Sequence, residues 1–274
     1  MILGISHITL ISSDLQSDIT YLKKFGYSAL FREEGIPDQI EKRKFLSSQY
    51  QFVSMAFCQS ETGIPIELIH YRDTMIPSDS SFVPLFEGAE TSAAIREDEA
   101  IKDIVKDSLS FGEPLVCLDQ VFGSHFIYSN TLKDPVSLNI LLHKINNYEN
   151  NLSCWCSALG CKVTKNGITG KGTRWGKVGF GDLFNKWRGS ILLYEADYID
   201  RKSWYLDDAG ITCISFISTN IKEDRKKLQT AIMTDSTGIM DLTINRRKLH
   251  IEIFENPTGG FFELLQVANN KNRL

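Results

Sequence analysis

The chain lacks the sequence features of a membrane or secreted protein. It contains no long apolar run, and Met1-Ile2-Leu3 opens directly into a predicted strand with no basic segment before it. A membrane-spanning helix needs about 20 consecutive apolar residues, and a secretory signal needs a basic region followed by an apolar one. We therefore expect no membrane partner and a cytoplasmic location.

The sequence also lacks an excess of positive charge. Its 30 Lys and Arg residues are outnumbered by 34 Asp and Glu residues, which gives a formal net charge of -4. Domains that bind nucleic acid carry clustered Lys and Arg, so nucleic acid is not an expected partner. The content of 42% hydrophobic and 23% charged residues is typical of a globular protein with a sizeable core.

Two common kinds of functional motif are absent. The six cysteines show no disulfide or zinc-finger spacing, and Cys154 and Cys156 lie two apart in a predicted helix, where their side chains point to different sides. We expect reduced, mostly buried cysteines. The glycines between Gly167 and Gly181 contain no G-x-x-x-x-G-K-[ST] motif, so hairpin turns explain them better than a phosphate loop does.

The sequence does contain an internal repeat. Residues 4–14 (GISHITLISSD) recur as residues 210–220 (GITCISFISTN), and the main difference is that His7 is replaced by Cys213. Residues 63–69 (GIPIELI) recur as residues 259–265 (GGFFELL), and both copies keep the glutamate, Glu67 and Glu263. A repeat that keeps its packing residues but changes one polar residue points to that residue as part of the chemistry.

The apolar pattern predicts the element order of the repeated unit. Residues 4–11 alternate as a strand, Ser13 to Gln16 has the form of a capping box, and a helix then runs to a stop at Gly26. Strands at 27–32, 48–58 and 64–71 complete a β-α-β-β-β unit. The four predicted units are residues 1–72, 73–134, 135–207 and 208–274. The second is a degenerate copy or an unrelated insertion, with a predicted helix at 93–107 and strands at 114–120 and 125–131.

The sequence resembles the vicinal oxygen chelate superfamily in three features: the repeated units, an I-x-H-I-x-L opening strand and a G-x-x-x-E-L closing strand. That family includes glyoxalase I, extradiol dioxygenases, fosfomycin-resistance enzymes and metal-free bleomycin-binding proteins. The resemblance implies an α+β fold in which repeated βαβββ modules form cupped mixed sheets around a cavity. It also implies that two modules pair and supply metal ligands from their first and last strands.

Carried over residue by residue, the resemblance implies an asymmetric site. His7 and Glu67 fall on the ligand positions of the first unit, and Glu263 and Cys213 fall on those of the fourth. The third unit has Asn139 or Leu138 and Leu193 at these positions, so a second site is expected to be lost. Units one and four are therefore expected to pair around the site.

The implied chemistry is that of a divalent metal ion and a small oxygen-chelating substrate. One imidazole and two carboxylates suit Fe(II), Mn(II), Ni(II), Co(II) or Zn(II). A glyoxalase-like lyase or isomerase would use Glu67 or Glu263 as a catalytic base, and a dioxygenase would bind a catecholate and O2. Cys213 is either a thiolate ligand, which favours Zn(II), or a protonated thiol in the cavity wall. A homodimer is compatible with this interpretation.

Two alternatives to a metalloenzyme stay open at the level of sequence. The replacement of histidine by Cys213 and the loss of the second site also suit a metal-free protein that binds a small aromatic or cationic ligand. A cofactor-free enzyme with the two glutamates as acid and base is the third interpretation. The other four histidines have no second potential ligand at a recognisable sequence spacing and are expected to be structural: His70, His125, His143 and His250.

Overall fold

The computed structural model describes residues 1–72, 82–87, 99–109, 114–119, 121–122, 124–129, 137–180, 189–196, 204–232, 234–256 and 258–268. The first unit contains β1 (Ile2–Ile11), α1 (Leu15–Leu22), β2 (Ser28–Pro37), β3 (Phe52–Gln59) and β4 (Ile66–His70), with short 3-10 helices at Lys23–Phe25 and Ile40–Phe45. The second contains β5 (Phe82–Glu87), α2 (Glu99–Leu109), β6 (Pro114–Asp119) and β7 (Ser124–Ser129).

The third unit contains β8 (Ser137–Ile145), α3 (Tyr148–Ser153) with a π-helical extension (Cys154–Ala158), β9 (Lys162–Ile168), β10 (Arg174–Gly179) and β11 (Ser190–Glu195). The fourth contains β12 (Ile211–Ser218), α4 (Ile221–Ile232), β13 (Met240–Ile244), β14 (Arg247–Glu255) and β15 (Phe261–Val267). The domain boundaries at residues 72, 134 and 207 stay predictions.

All four units share one pattern of strand pairing. In the first, third and fourth units the first strand pairs parallel with the last, and the two remaining strands continue antiparallel from the last strand outward. In the second unit β5 pairs parallel with β7, and β6 pairs antiparallel with β7. The described part of residues 73–134 is therefore a β-α-β-β version of the same unit with one strand fewer, which favours the degenerate copy over the insertion.

The four units join into one open mixed sheet. Its main path runs β2-β3-β4-β1-β12-β5-β8-β11-β10-β9, and the other described strands branch from it. The first and fourth units meet at the antiparallel pair β1 and β12, and the second and third meet at β5 and β8. With strands predominating and few helices, the predicted α+β class is confirmed. None of the helices in the described ranges is both long and apolar enough to cross a bilayer.

The helices begin at equivalent side-chain caps. Asp14 accepts hydrogen bonds from the backbone N–H groups of Gln16 and Ser17 at 2.9 and 3.2 Å, so Asp14 caps α1 and the predicted capping box starting at Ser13 was wrong by one residue. Asn220 occupies the same place before α4 and accepts from the N–H of Glu223. A short polar side chain in this position satisfies N–H groups that have no partner inside the helix.

A buried serine–aspartate contact ties each of these helices to the strand before it. Ser12 Oγ donates to Asp18 Oδ2 at 2.5 Å, and Ser218 Oγ donates to Asp224 Oδ2 at 2.7 Å. Both aspartates are almost completely buried, where a carboxylate is costly unless it is hydrogen-bonded. The first and fourth units thus repeat their polar contacts inside the core as well as their strand pattern.

Several predicted elements differ from those observed. The predicted strand at 48–58 begins only at Phe52, and the 3-10 helix Ile40–Phe45 precedes it. The helix predicted at 93–107 is α2, which starts at Glu99, and residues 93–98 lie outside the described residues. β5 and β13 were not predicted, because β5 follows a polar stretch and β13 is a five-residue strand with two exposed positions.

Candidate functional site

The site is built on the strand pair that joins the first and fourth units. In the antiparallel register of β1 and β12, His7 lies opposite Ser215 and Thr9 lies opposite Cys213. Residues opposite each other across two strands present their side chains on the same face of the sheet. All four side chains are buried, with His7 and Cys213 each only 3% exposed.

The last strands of the two units add one glutamate each. β4 lies beside β1 and places Glu67 next to Thr9, and β15 lies beside β12 and places Glu263 next to Ser215. Thr9 Oγ1 donates to Glu67 Oε2 at 3.0 Å, and Ser215 Oγ donates to Glu263 Oε1 at 2.7 Å. The site therefore contains two equivalent hydroxyl–carboxylate pairs, one from each unit.

His7 lies between these two pairs. Its Nε2 atom is 3.5 Å from Glu67 Oε2, 3.7 Å from Glu263 Oε1 and 2.9 Å from Ser215 Oγ. When Glu263 is ionised, Ser215 gives its one hydroxyl proton to that carboxylate, and in the contact with Ser215 the His7 Nε2 atom is then the donor. Ser6 Oγ lies 3.1 Å from the other ring nitrogen, Nδ1.

The proximity of these groups shifts their pKa values in different directions. Burial alone would lower the pKa of His7, but the adjacent Glu67 and Glu263 outweigh burial and raise it. Burial would raise the pKa of Glu67, yet the charge of His7 and its hydrogen bonds outweigh burial and lower it. Burial raises the pKa of Glu263, and His7 compensates only in part. His7 and Glu67 thus form an ion pair, and Glu263 holds a proton more readily.

Cys213 lies in the cavity wall as a protonated thiol. Burial, and next the charges of Glu263 and Glu67, raise its pKa well above the ordinary value. A thiolate at this position would be the third negative charge beside two carboxylates, which is unfavourable without a compensating cation. Of the two sequence interpretations of Cys213, the structure favours the thiol.

A small cavity opens on this face of the sheet. It has a volume of about 50 Å³, and its wall includes Thr9, Glu67, Cys213 and Glu263. Ile251 and Ile253 of β14 are among the apolar side chains that line it, and the segment between β2 and β3 adds polar ones. Sites for drug-sized ligands usually measure about 300–1,000 Å³, so the closed cavity suits a ligand of a few heavy atoms.

The segment that covers the cavity is held by a buried aspartate. Asp207 accepts hydrogen bonds from Ser47 N at 2.8 Å, Ser47 Oγ at 2.5 Å and Tyr50 Oη at 2.7 Å, and it forms an ion pair with Arg72 at 3.0 Å. Leu206 N donates to Phe45 O at 2.8 Å. These contacts fix residues 38–50, and with them the 3-10 helix Ile40–Phe45, against the mouth of the site.

The donor set of the site fits a divalent metal ion. Two ligand atoms that are each about 2.1 Å from an ion and about 110° apart are roughly 3.4 Å from each other. The separations of 3.5 and 3.7 Å between His7 Nε2 and the two carboxylates are close to this value. Within the described ranges, however, no three His, Cys, Asp or Glu side chains are already arranged as a metal cluster. Binding would require Ser215 to turn away and His7 Nε2 to lose its proton.

A larger concavity of the described surface lies elsewhere. It measures about 860 Å³ and runs between the π-helical extension of α3 and the last turns of α4, where Lys226, Lys227 and Thr230 face Cys154 and Ser157. It contains neither a carboxylate nor an imidazole. The chemistry of the molecule is therefore concentrated in the smaller, more enclosed cavity.

The remaining histidines do not contribute to this site. His70 contacts the backbone oxygen of Ser12 at 3.0 Å, His250 pairs with Asp241 on the surface, and His143 is buried in another part of the core. The side chain of His125 lies outside what the structure describes. Sequence reasoning missed Thr9 and Ser215, although the repeat itself keeps a hydroxyl residue at this position in both copies.

Comparisons with solved structures identify the fold of this chain. No protein-family model matches the chain, and no curated protein matches it either. Glyoxalase I from Zea mays superposes with a TM-score of 0.62 at 13% identity, over 96% of this chain and 92% of that chain. A putative dioxygenase from Bacillus subtilis superposes with a TM-score of 0.60 at 12% identity, over 98% of this chain and 86% of that chain. The chain has the vicinal oxygen chelate fold. At these identities the likeness establishes the fold, and the reaction has to be argued from the site.

Proposed function

We propose that the protein is a metal-dependent enzyme that acts on a small molecule through two adjacent oxygen atoms. The observation that carries this proposal is the convergence of His7, Glu67 and Glu263 from two repeated units in one buried cluster, whose two glutamates line a cavity. Two carboxylates buried together repel each other unless a cation lies between them. The reaction class is that of a glyoxalase-like lyase or isomerase, or of a dioxygenase.

His7 Nε2 and the carboxylates of Glu67 and Glu263 would hold the ion. Thr9 and Ser215 lie beside the two glutamates and orient their carboxylates, and His7 is packed edge-on against Phe57 with ring centroids 5.5 Å apart. Neighbouring groups that orient the ligand side chains in this way contribute to metal affinity together with the ligands. Cys213, as a neutral thiol, leaves a coordination position for the substrate.

A divalent ion held there would polarise the two oxygens of a bound substrate and increase the acidity of an adjacent C–H or O–H group. Glu67, whose pKa is lowered, is ionised at neutral pH and accepts a proton from the substrate. Glu263, whose pKa is raised, is the better group to return one. The apolar side chains of the cavity wall exclude water while the proton is transferred.

A second candidate function is a metal-free protein that binds a small ligand. The observation that favours it is the Ser215 hydroxyl, which bridges His7 and Glu263 and satisfies both without an ion. In that case the raised pKa of His7 favours an imidazolium that compensates the charge of Glu67, and the raised pKa of Glu263 favours its neutral form. The two candidates differ in whether the purified protein contains metal.

The test is elemental analysis of untagged protein purified without chelator. We expect about one divalent ion per chain in the wild type and background levels in His7→Ala and Glu263→Ala, because each variant removes one of three ligands. His70→Ala is the matched control, since it removes a histidine outside the cavity, and it should retain the metal. Far-ultraviolet circular dichroism shows whether each variant is folded.

Absence of metal in the wild type, even after reconstitution with Fe(II), Mn(II), Co(II), Ni(II) and Zn(II), would reject the enzyme proposal in favour of the binding protein. If metal is present, the element distinguishes the two reaction classes: iron indicates oxygen chemistry, and zinc or nickel indicates an isomerase or lyase.

A further inference from the structure

The cavity contains polar groups that the proposed metal site does not use. Lys42 and Tyr71 both line it. Lys42 is the only cationic side chain among the described residues of the cavity wall. The repeat marks neither residue. The segment that carries Lys42 has no counterpart in the fourth unit, and Tyr71 lies after the repeated residues 63–69.

The position of Lys42 is fixed by the segment that covers the cavity. Lys42 lies on the 3-10 helix Ile40–Phe45, whose end is buried at Phe45 and whose start is exposed at Ile40. The Asp207 contacts hold this segment in place, so the half-buried side chain of Lys42 faces inward. A lysine placed in this way carries its charge into the site.

The Lys42 ammonium group has no hydrogen bond or ion pair with any described residue. Glu67 and Glu263 already pair with Thr9, Ser215 and His7. Asp38, four residues before Lys42, does not form an ion pair with it either, although both line the cavity. Burial raises the pKa of Asp38, and the charge of Lys42 compensates in part.

Tyr71 supplies a neutral hydrogen-bond donor to the same cavity. Its side chain is buried at 9% exposure, and its ring packs against Tyr50 with centroids 5.0 Å apart. Burial raises the pKa of the Tyr71 hydroxyl well above its ordinary value, so the group keeps its proton. The hydroxyl makes no hydrogen bond to any described residue, so it is available to donate to a ligand in the cavity.

The geometry points to Lys42 and Tyr71 as the groups that bind an anionic oxygen of the substrate, which makes the substrate a small 2-oxo or 2-hydroxy carboxylate. This inference rests on the proposed function, because a divalent ion would neutralise Glu67 and Glu263 and leave the charge of Lys42 for the substrate. A carboxylate with an oxygen on the neighbouring carbon offers the ion two adjacent oxygens, and its remaining charge pairs with the ammonium group. The volume of about 50 Å³ limits the substrate to a few heavy atoms.

The test compares two ligands that differ in charge but have the same number of heavy atoms. Pyruvate carries a carboxylate beside a ketone, and diacetyl replaces that carboxylate by a neutral acetyl group. Their dissociation constants are measured by isothermal titration calorimetry for the metal-loaded wild type, Lys42→Met, Lys42→Arg, Tyr71→Phe and Lys44→Met. Lys44 is the control, because it belongs to the same 3-10 helix but pairs with Asp235 on the surface. The metal content of every sample is determined beforehand.

We expect Lys42→Met to weaken pyruvate binding at least tenfold and diacetyl binding less than twofold, with unchanged metal content. Tyr71→Phe should weaken pyruvate binding several-fold, Lys42→Arg should restore most of it, and Lys44→Met should behave as the wild type. Equal effects of Lys42→Met on both ligands, or no effect on either, would overturn the inference. So would a metal-loaded wild type that binds diacetyl but not pyruvate, or neither. Protein without metal rejects the proposed function instead, and pyruvate binding to it that depends on Lys42 would still support the role of Lys42.

Discussion

At the scale of single residues, His7 is where the two halves of the site differ. Thr9 and Glu67 in the first unit match Ser215 and Glu263 in the fourth, with the same hydroxyl-to-carboxylate hydrogen bond in each. Cys213 occupies the position that corresponds to His7, and its thiol stays protonated. One imidazole between two carboxylates is therefore the result of a single departure from an otherwise repeated arrangement.

The role of Ser215 is open to a direct mutational test. Ser215→Ala removes the hydroxyl that pairs with both His7 and Glu263, and it leaves two buried polar groups without this partner. We expect the metal-free protein to lose about 1–3 kcal/mol of unfolding free energy. Urea unfolding of protein dialysed against chelator measures this loss.

The same Ser215 variant should retain its metal, because Ser215 is not a ligand in the proposed site. Ser6→Ala is a suitable control, since its hydroxyl contacts only the far side of the His7 ring and the residue is half-exposed. Loss of the metal together with Ser215 would show that the hydroxyl belongs to the ligand set, contrary to our assignment.

The residues of the candidate site were predictable only in part. His7, Glu67, Glu263 and Cys213 were identified because the repeat and its resemblance to a known family mark them. Lys42 and Tyr71 carry no such mark, because their approach to the cavity depends on the path of the segment between β2 and β3. That path is determined by Asp207, which lies about 160 residues further along the chain, as the Ser47 contact records.

At the scale of elements, β12 could be predicted in full, β2 only in part and β13 not at all. β12 is buried along nearly its whole length, so its pattern is unambiguous. β2 is largely exposed at the edge of the sheet, and the strand predicted at 27–32 continues to Pro37. β13 has only five residues and alternates between buried and exposed positions. Such strands form because a neighbouring strand offers backbone partners, which is information that the local sequence does not contain.

A buried histidine on β8 is expected to make the stability of the protein depend on pH in the acidic range. His143 on this strand is completely buried, and it contacts Phe82 of β5, Trp155 of the π-helical extension and Thr258 before β15. Burial lowers the pKa of His143 from 6.5 to about 3. Between these two pH values the unfolded chain binds a proton at this residue and the folded protein does not.

The contribution of His143 to stability should therefore be complete above pH 6.5 and decrease as the pH falls towards 3. The contribution of His143 is about 1.4 kcal/mol per pH unit in this window. Urea unfolding between pH 7.5 and 4.5 should show a smaller pH dependence for His143→Gln than for the wild type. His250→Gln, which alters a surface histidine, should follow the wild type. Parallel curves for wild type and His143→Gln would show that His143 is not responsible.

At the scale of the whole molecule, four related units produce one candidate site. The first and fourth units meet along β1 and β12 and surround the cavity lined by Glu67 and Glu263, with His7 buried beside both carboxylates. The second and third units meet along β5 and β8 in the same manner, but Leu138 and Leu193 there are part of the apolar core. The α+β class and the repeat could be predicted from the sequence, because both depend on patterns that recur along the chain. The pairing of the second unit could not, because its closing strands carry no copy of the glutamate motif.

The central claim is that His7, Glu67 and Glu263 share one divalent ion, and an anomalous diffraction measurement on crystals soaked in Mn(II) tests it most directly. The account predicts a single strong anomalous peak about 2.0–2.3 Å from His7 Nε2 and from one oxygen of each glutamate, with the Ser215 hydroxyl turned away from His7. A map without a peak at these residues at saturating Mn(II), with Ser215 still bridging His7 and Glu263, would contradict it.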